Sequence, residues 1–202
     1  MTDDAKDQRP RPRKQPRQSR ARHTVEAIIE ATARILEESG HDGFNTNAIA
    51  GLAGVSIGTL YQYFPDKNAL LGSLIGRETS RLVIETEAAA AESDGVKALN
   101  GVILAAVRHQ MDRPRLARLL DFEEARLPFD PETRSVRARY ADILFEILGR
   151  ADLPAHPDLA IATNDIVAII RGLVDASGER GEANENALVE RVQRAVLGYL
   201  RT

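Results

Sequence analysis

The stretch Thr46–Tyr63, TNAIAGLAGVSIGTLYQY, sets two short helical registers on either side of Gly54, with Ala50 four residues before it and Leu60 six after. That spacing describes a helix-turn-helix. Ile49, Ala50 and Ala53 give the first helix a small apolar inner face, and Ala50 lets the second helix cross closely. Gly54 supplies the left-handed backbone that a tight bend between helices requires. Val55 and Leu60 pack back across the turn. Thr46 is expected to N-cap the first helix and Ser56 the second, each offering a side-chain oxygen to unpaired backbone N–H groups.

For Ala50 and Gly54 alone, an ordinary helical hairpin explains the pattern. The outer face of the second helix points further. Ser56, Ile57, Gly58, Thr59, Tyr61, Gln62 and Tyr63 are small, polar or aromatic, and none is acidic. Short hydroxyl and methyl groups at the start of a helix reach base edges in a major groove, so Ile57, Gly58 and Thr59 are the expected base readers. Thr46, Asn47, Tyr61, Tyr63 and Lys67 complete the expected DNA surface, mainly on phosphates. Asp66 is expected to cap a third helix and leave Lys67 facing outward. Phe64 belongs to the core.

The wider stretch from Ile28 to Ile75 resembles the DNA-binding domain of TetR-family transcriptional regulators. The resemblance rests on Ser39–Gly40, Phe44, the Ile-Ala pair, Ala-Gly-Val-Ser, the Leu-Tyr-x-Tyr-Phe run and the Lys67–Leu70 helix start, and covers about a quarter of the chain. It implies a homodimer whose C-terminal part binds a small ligand and releases DNA.

Composition sets bounds. The chain has 202 residues, 43% hydrophobic and only 4% aromatic, enough to bury roughly 70% of its unfolded surface in an aliphatic core. The absence of cysteine excludes disulfides and thiolate metal sites and suits a reducing compartment. No apolar run reaches the roughly 18 residues of a membrane span. The expected location is the cytoplasm, on the nucleoid when DNA-bound.

Charge is uneven. Residues 1–23 carry eight basic groups against three acidic ones, leaving +5, so the rest of a chain of net −3 carries −8. Residues 24–75 hold only Arg34 and Lys67 against six carboxylates, a net −4. The missing attraction for a polyanion is expected from a disordered basic arm, residues 1–22, through Arg13, Lys14, Arg17, Arg20 and Arg22. A solvated tail that aids solubility and a minor-groove arm both fit this segment.

The rest reads as helices throughout, about nine in all, giving an all-α fold. Three segments are expected: the arm 1–22, a helix-turn-helix domain 23–75, and a regulatory and dimerisation domain 76–202. Val25, Ile28, Ile29, Thr32, Ile35 and Leu36 form the stripe of a first helix that Gly40 ends. A long helix runs from Asp66 to about Glu92, and others span about 96–111, 114–126, 131–150, 158–177 and 184–201. Asp130 is expected to cap the helix that starts at Pro131.

The last two helices carry more apolar surface than one core face requires. Ile166, Ile170 and Leu173, with Leu188, Val192, Ala195 and Tyr199, fit either the monomer core or a twin subunit. The TetR resemblance implies the second, through a four-helix bundle with the symmetry mate. An effector pocket is expected among residues 96–176, with His109, Met111, Phe122, Tyr140, Phe145, Asn164 and Arg171 as candidate anchors; Asn100, Gln110 and Phe129 are also available.

Enzymatic readings find little support. The histidines at 23, 41, 109 and 156 are scattered, and no glycine-rich phosphate loop or metal spacing recurs. No cofactor is expected. The expected function is a one-component regulator, a repressor that binds a palindromic double-stranded operator as a dimer. A helical protein-interaction module and a recombinase-like protein that uses its helix-turn-helix only for docking are the competing classes.

Overall fold

Nine helices build the described residues of the computed structural model, which are 16–124 and 131–201, with side chains from 19 and from 134 onward in the two stretches. They are α1 (Pro16–Gly43), α2 (Thr46–Ala53), α3 (Ile57–Tyr63), α4 (Lys67–Ala90), α5 (Gly95–Asp112), α6 (Pro114–Glu124), α7 (Pro131–Leu148), α8 (Leu159–Glu179) and α9 (Glu185–Leu200). No strand occurs among them.

Local chemistry sets most boundaries. Ser56, Asp66, Asp94, Asp158 and Asn184 each N-cap the helix that follows, accepting from the backbone N–H three residues on. Gly40 leaves the helical region at φ 61°, which ends the straight part of α1. Asp130 and Phe129 lie outside the described residues.

The expected start of α1 needs correction. Residues 16–22 are helical, so Arg17, Arg20 and Arg22 extend α1 rather than a disordered arm. Proline is compatible with a first helical turn, and no later residue in the segment breaks the helix. Propagating a helix already anchored by packing needs no new nucleus. Arg13 and Lys14 lie outside the described residues.

Two apolar cores organise the chain. The first gathers Ile28, Leu36, Phe44, Ile49, Leu60, Phe64, Leu70 and Leu74 from α1 to α4, and is closed by Leu116 and Leu120 of α6. The second surrounds α5, whose Leu99, Val102, Ile103 and Val107 meet α4, α7, α8 and α9. The division expected at 75/76 falls within α4, which contributes to both cores. α4, about 36 Å long at 1.5 Å per residue, contributes Leu70 and Leu74 to one core and Val83 to the other.

Candidate nucleic-acid interface and effector cavity

The hinge between α2 and α3 is closed by Gly54 at φ 69°, ψ 28°, whose N–H and that of Val55 bond the carbonyls of Gly51 and Ala50 at 3.2 and 3.0 Å. Leu60 is fully buried beneath it. Ser56 Oγ accepts from Thr59 N at 3.0 Å and lies 2.8 Å from Thr59 Oγ1, so one hydroxyl both caps α3 and orients the second. Facing away from the core are Ile57, Gly58, Tyr61, Gln62 and Tyr63, with Ile57 39% and Tyr61 49% exposed. Leu52, also exposed, was not anticipated; its place in an apolar run disguised it as core.

Two expected roles change. Asn45, not Thr46, caps α2: its Oδ1 accepts from Ala48 N at 2.8 Å, while Thr46 is the first helical residue. The one-residue shift turns the Thr46 hydroxyl to within 3.2 Å of Tyr61 Oη, bridging α2 and α3. Asn47 stays exposed beside it. Lys67 also has a structural duty. Its Nζ donates to the Phe44 carbonyl at 2.6 Å and sits 5.3 Å from the Phe44 ring centroid, bracing the start of α4 against the end of α1.

Two of the six carboxylates of residues 24–75 are paired with guanidiniums of α4 and of the α5–α6 joint. Glu30 meets Arg77 at 3.0 Å and Arg113 at 3.4 Å, and Glu37 receives Arg113 at 2.7 Å. Burial alone would raise Glu30, but Arg113, Arg77 and Arg34 hold its carboxyl below the ordinary value. Glu78 takes Arg77 at 2.6 Å. Glu123 of α6 lies 3.4 Å from His41 near the end of α1. These pairs tie α1 to α4, to the α5–α6 joint and to α6.

A cavity of about 180 Å³ lies between α4, α5, α6, α7 and α8. Leu82, Ala106, Val167, Ile170 and Val174 give it apolar walls. Of the expected anchors, His109, Tyr140 and Arg171 line it. Met111 packs against the second core, Asn164 is exposed, and Phe122 and Phe145 are largely solvent-facing, so these four do not. An aromatic on an amphipathic helix need not face inward. Sequence reasoning missed Gln110's place in the wall, and missed Asp121, Glu124, Arg137 and Asp175. Burial, then Asp175 and Glu124, push the Asp121 carboxyl up to about 7. Burial likewise raises Asp175 and Tyr140 and holds His109 neutral over a wider range.

The surface expected to meet a twin subunit is partly internal. Ile166, Ile170, Leu188 and Val192 are buried in the monomer's own core, because α5 and α7 already cover them. Leu173, Ala195 and Tyr199 are half-buried, and Tyr199 Oη donates to Asp165 at 2.7 Å. The outward row of α8 is instead Ile161, Ala168 and Gly172, spaced for one helix face, with Ile161 55% exposed. No described helix is long and apolar enough to cross a membrane.

A family profile described as "Bacterial regulatory proteins, tetR family" matches residues 28–74, and one described as "Tetracyclin repressor-like, C-terminal domain" matches residues 96–200. The HTH-type transcriptional repressor KstR of Mycobacterium tuberculosis is 43% identical over 63 residues, covering 31% of this chain and 29% of that repressor. KstR of Rhodococcus jostii is 40% identical over 55 residues, 27% and 26% of the two chains. The chain thus matches less than a third of the length of these curated relatives. The fold is similar to that of the regulator FadR from Bacillus subtilis, solved in complex with stearoyl-CoA, with TM-score 0.70, 22% identity and coverage of 87% and 96%.

Proposed function

The chain belongs to the TetR family of bacterial regulatory proteins, and on that premise we propose that it is a non-enzymatic transcriptional repressor, acting in the cytoplasm, that binds a palindromic operator as a homodimer and leaves it when a small molecule fills the cavity. The observation that carries the reading is α3. Its outer face bears no charge and its first hydroxyls are fixed by capping, while Glu30 and Glu37 of α1 are held by Arg77 and Arg113.

Residues 23–75 serve as the reading domain and 76–202 as the regulatory one. Ile57, Gly58 and Thr59 approach base edges, with Ser56 and Gln62 flanking them. The Thr46–Tyr61 hydroxyl pair, Asn47 and Tyr63 face phosphates, and Lys67 offers its remaining N–H groups there. Arg20 and Arg22, exposed near the start of α1, and the basic residues before them add salt-dependent affinity. A second copy covers the Ile161–Ala168–Gly172 row of α8, with Leu173, Ala195 and Tyr199 at its margin.

Two helices carry the coupling. α4 spans both cores, and α6 places Asp121 and Glu124 on the cavity while Leu116 and Leu120 close the first core. A ligand that moves α6 therefore moves the reading domain. Footprinting on DNA captured from the genome tests the proposal. The expected protection is two half-sites about 34–36 Å apart, centre to centre; protection without twofold symmetry contradicts it.

A further inference from the structure

The polar groups that line the cavity are not all spent on each other. Glu124 Oε2 takes Arg137 at 2.6 Å and Arg171 at 3.4 Å, and Asp175 takes Arg171 at 3.3 Å. Among the described residues Asp121 has no guanidinium within salt-bridge distance, and its one hydrogen bond there, from Gln110 Nε2, is 3.5 Å long. Gln110 is 4% exposed, yet its Oε1 accepts nothing among the described residues. A Cβ at Gly178 would overlap the Gln110 amide, so the glycine makes room for this side chain. The Tyr140 hydroxyl, also on the cavity wall, has no partner among the described residues.

Among the described residues Asp121 thus has one long hydrogen bond, and Gln110 Oε1 and the Tyr140 hydroxyl have none, beside the apolar walls of the cavity. The ionisable lining consists of three carboxylates and two guanidiniums, with His109 held neutral by burial. With Asp121 ionised, a monocation balances that set, whereas a monoanion deepens its excess. Among the described residues no three carboxylate, histidine or cysteine groups are placed to hold a metal ion. The volume somewhat exceeds the roughly 150 Å³ of an engineered cavity that admits benzene.

We propose that the effector is a compact hydrophobic amine, its protonated nitrogen donating to Asp121 and Gln110 Oε1 and its hydrocarbon lying against Leu82, Val167, Ile170 and Val174. This rests on the effector reading of the cavity made above. The amine restores the charge partner that burial and two neighbouring carboxylates deny Asp121, and a charge-assisted hydrogen bond out of water is the stronger kind. Because Asp121 lies on α6, its occupation acts on the helix that closes the first core.

Calorimetry on the full chain with three probes of one skeleton tests this: 2-phenylethylamine, 2-phenylethanol and phenylacetate. The amine is expected to bind about tenfold or more tighter than the other two. In Asp121→Asn the amine should lose that advantage, and circular dichroism unchanged from the parent protein reports an intact fold. Equal binding of all three, or tighter binding of the carboxylate, overturns the amine assignment and leaves the effector cavity standing. An amine preference that survives Asp121→Asn overturns the role of Asp121. Failure of all three to bind overturns the cavity as an occupied site, and the effector part of the proposed function with it.

Discussion

Arg113, at the joint between α5 and α6, donates from Nη2 to the Glu37 carboxylate of α1 at 2.7 Å. The same guanidinium lies 3.4 Å from Glu30, so one side chain following α5 grips two carboxylates of the reading domain. Arg113→Ala should cost only about 1 kcal/mol, because both carboxylates are partly solvated. Its larger effect should be on coupling. Effector and operator must weaken each other by the same factor, and in this variant operator affinity with and without effector should converge. Calorimetry at saturating and zero operator measures it; an unchanged ratio removes Arg113 from the relay.

Base reading and phosphate contact separate by variant. Thr59→Ala should change which base pairs are preferred, with a penalty of about 1–3 kcal/mol at one position. Tyr61→Phe removes the hydroxyl shared with Thr46 and should weaken all sequences alike. Lys67→Ala should do the same and also lower stability by about 1 kcal/mol, since the Phe44 carbonyl loses its donor. Binding-site selection and thermal melting together distinguish these outcomes.

Asp121 gives the protein a pH signature. Its folded carboxyl titrates near 7 against an ordinary 3.8, so the folded state holds this proton more tightly than the unfolded chain. The destabilisation is complete above pH 7 and fades as pH falls toward about 4. Asp175 shifts in the same direction. His109, whose folded value is lowered, acts oppositely, losing stability as pH falls below its ordinary range. Glu124, Arg137 and Arg171 also face the site, and comparison with Asp121→Asn isolates the one carboxyl. The variant should gain about 1–2 kcal/mol at pH 8, or roughly 2–8 °C in Tm, and almost nothing near pH 4. A gain independent of pH contradicts the assignment.

The outward row of α8 tests the dimer. Ala168→Glu places a charge on an exposed site, so the fold should survive with unchanged circular dichroism while light scattering reports monomers and operator affinity falls. Leu173→Glu is a less direct probe, because Leu173 also packs against the second core. A dimer that persists in Ala168→Glu places the twofold contact elsewhere.

The reading domain was legible because its determinants are local. A glycine at the hinge, Ser56 and Asp66 before their helices, and small residues on an inner face each act within a few positions. The cap at Asn45 was misplaced by one residue, since asparagine and threonine both cap well and stand side by side here. The cavity was not legible. Asp121, Glu124 and Asp175 have the periodicity of a solvated helix face, and nothing local tells water from an internal space. The burial of Ile166 and Val192 was ambiguous for a related reason: an apolar row does not state whether α5 or a second subunit covers it.

The most direct test is competition binding by fluorescence anisotropy at physiological salt, using an inverted-repeat site captured from the genome against random duplex of equal length. Binding by two protomers is expected, at least about 10³-fold tighter to the captured site than to random duplex, with Thr59→Ala narrowing that ratio. Equal affinity for captured and random DNA would contradict it.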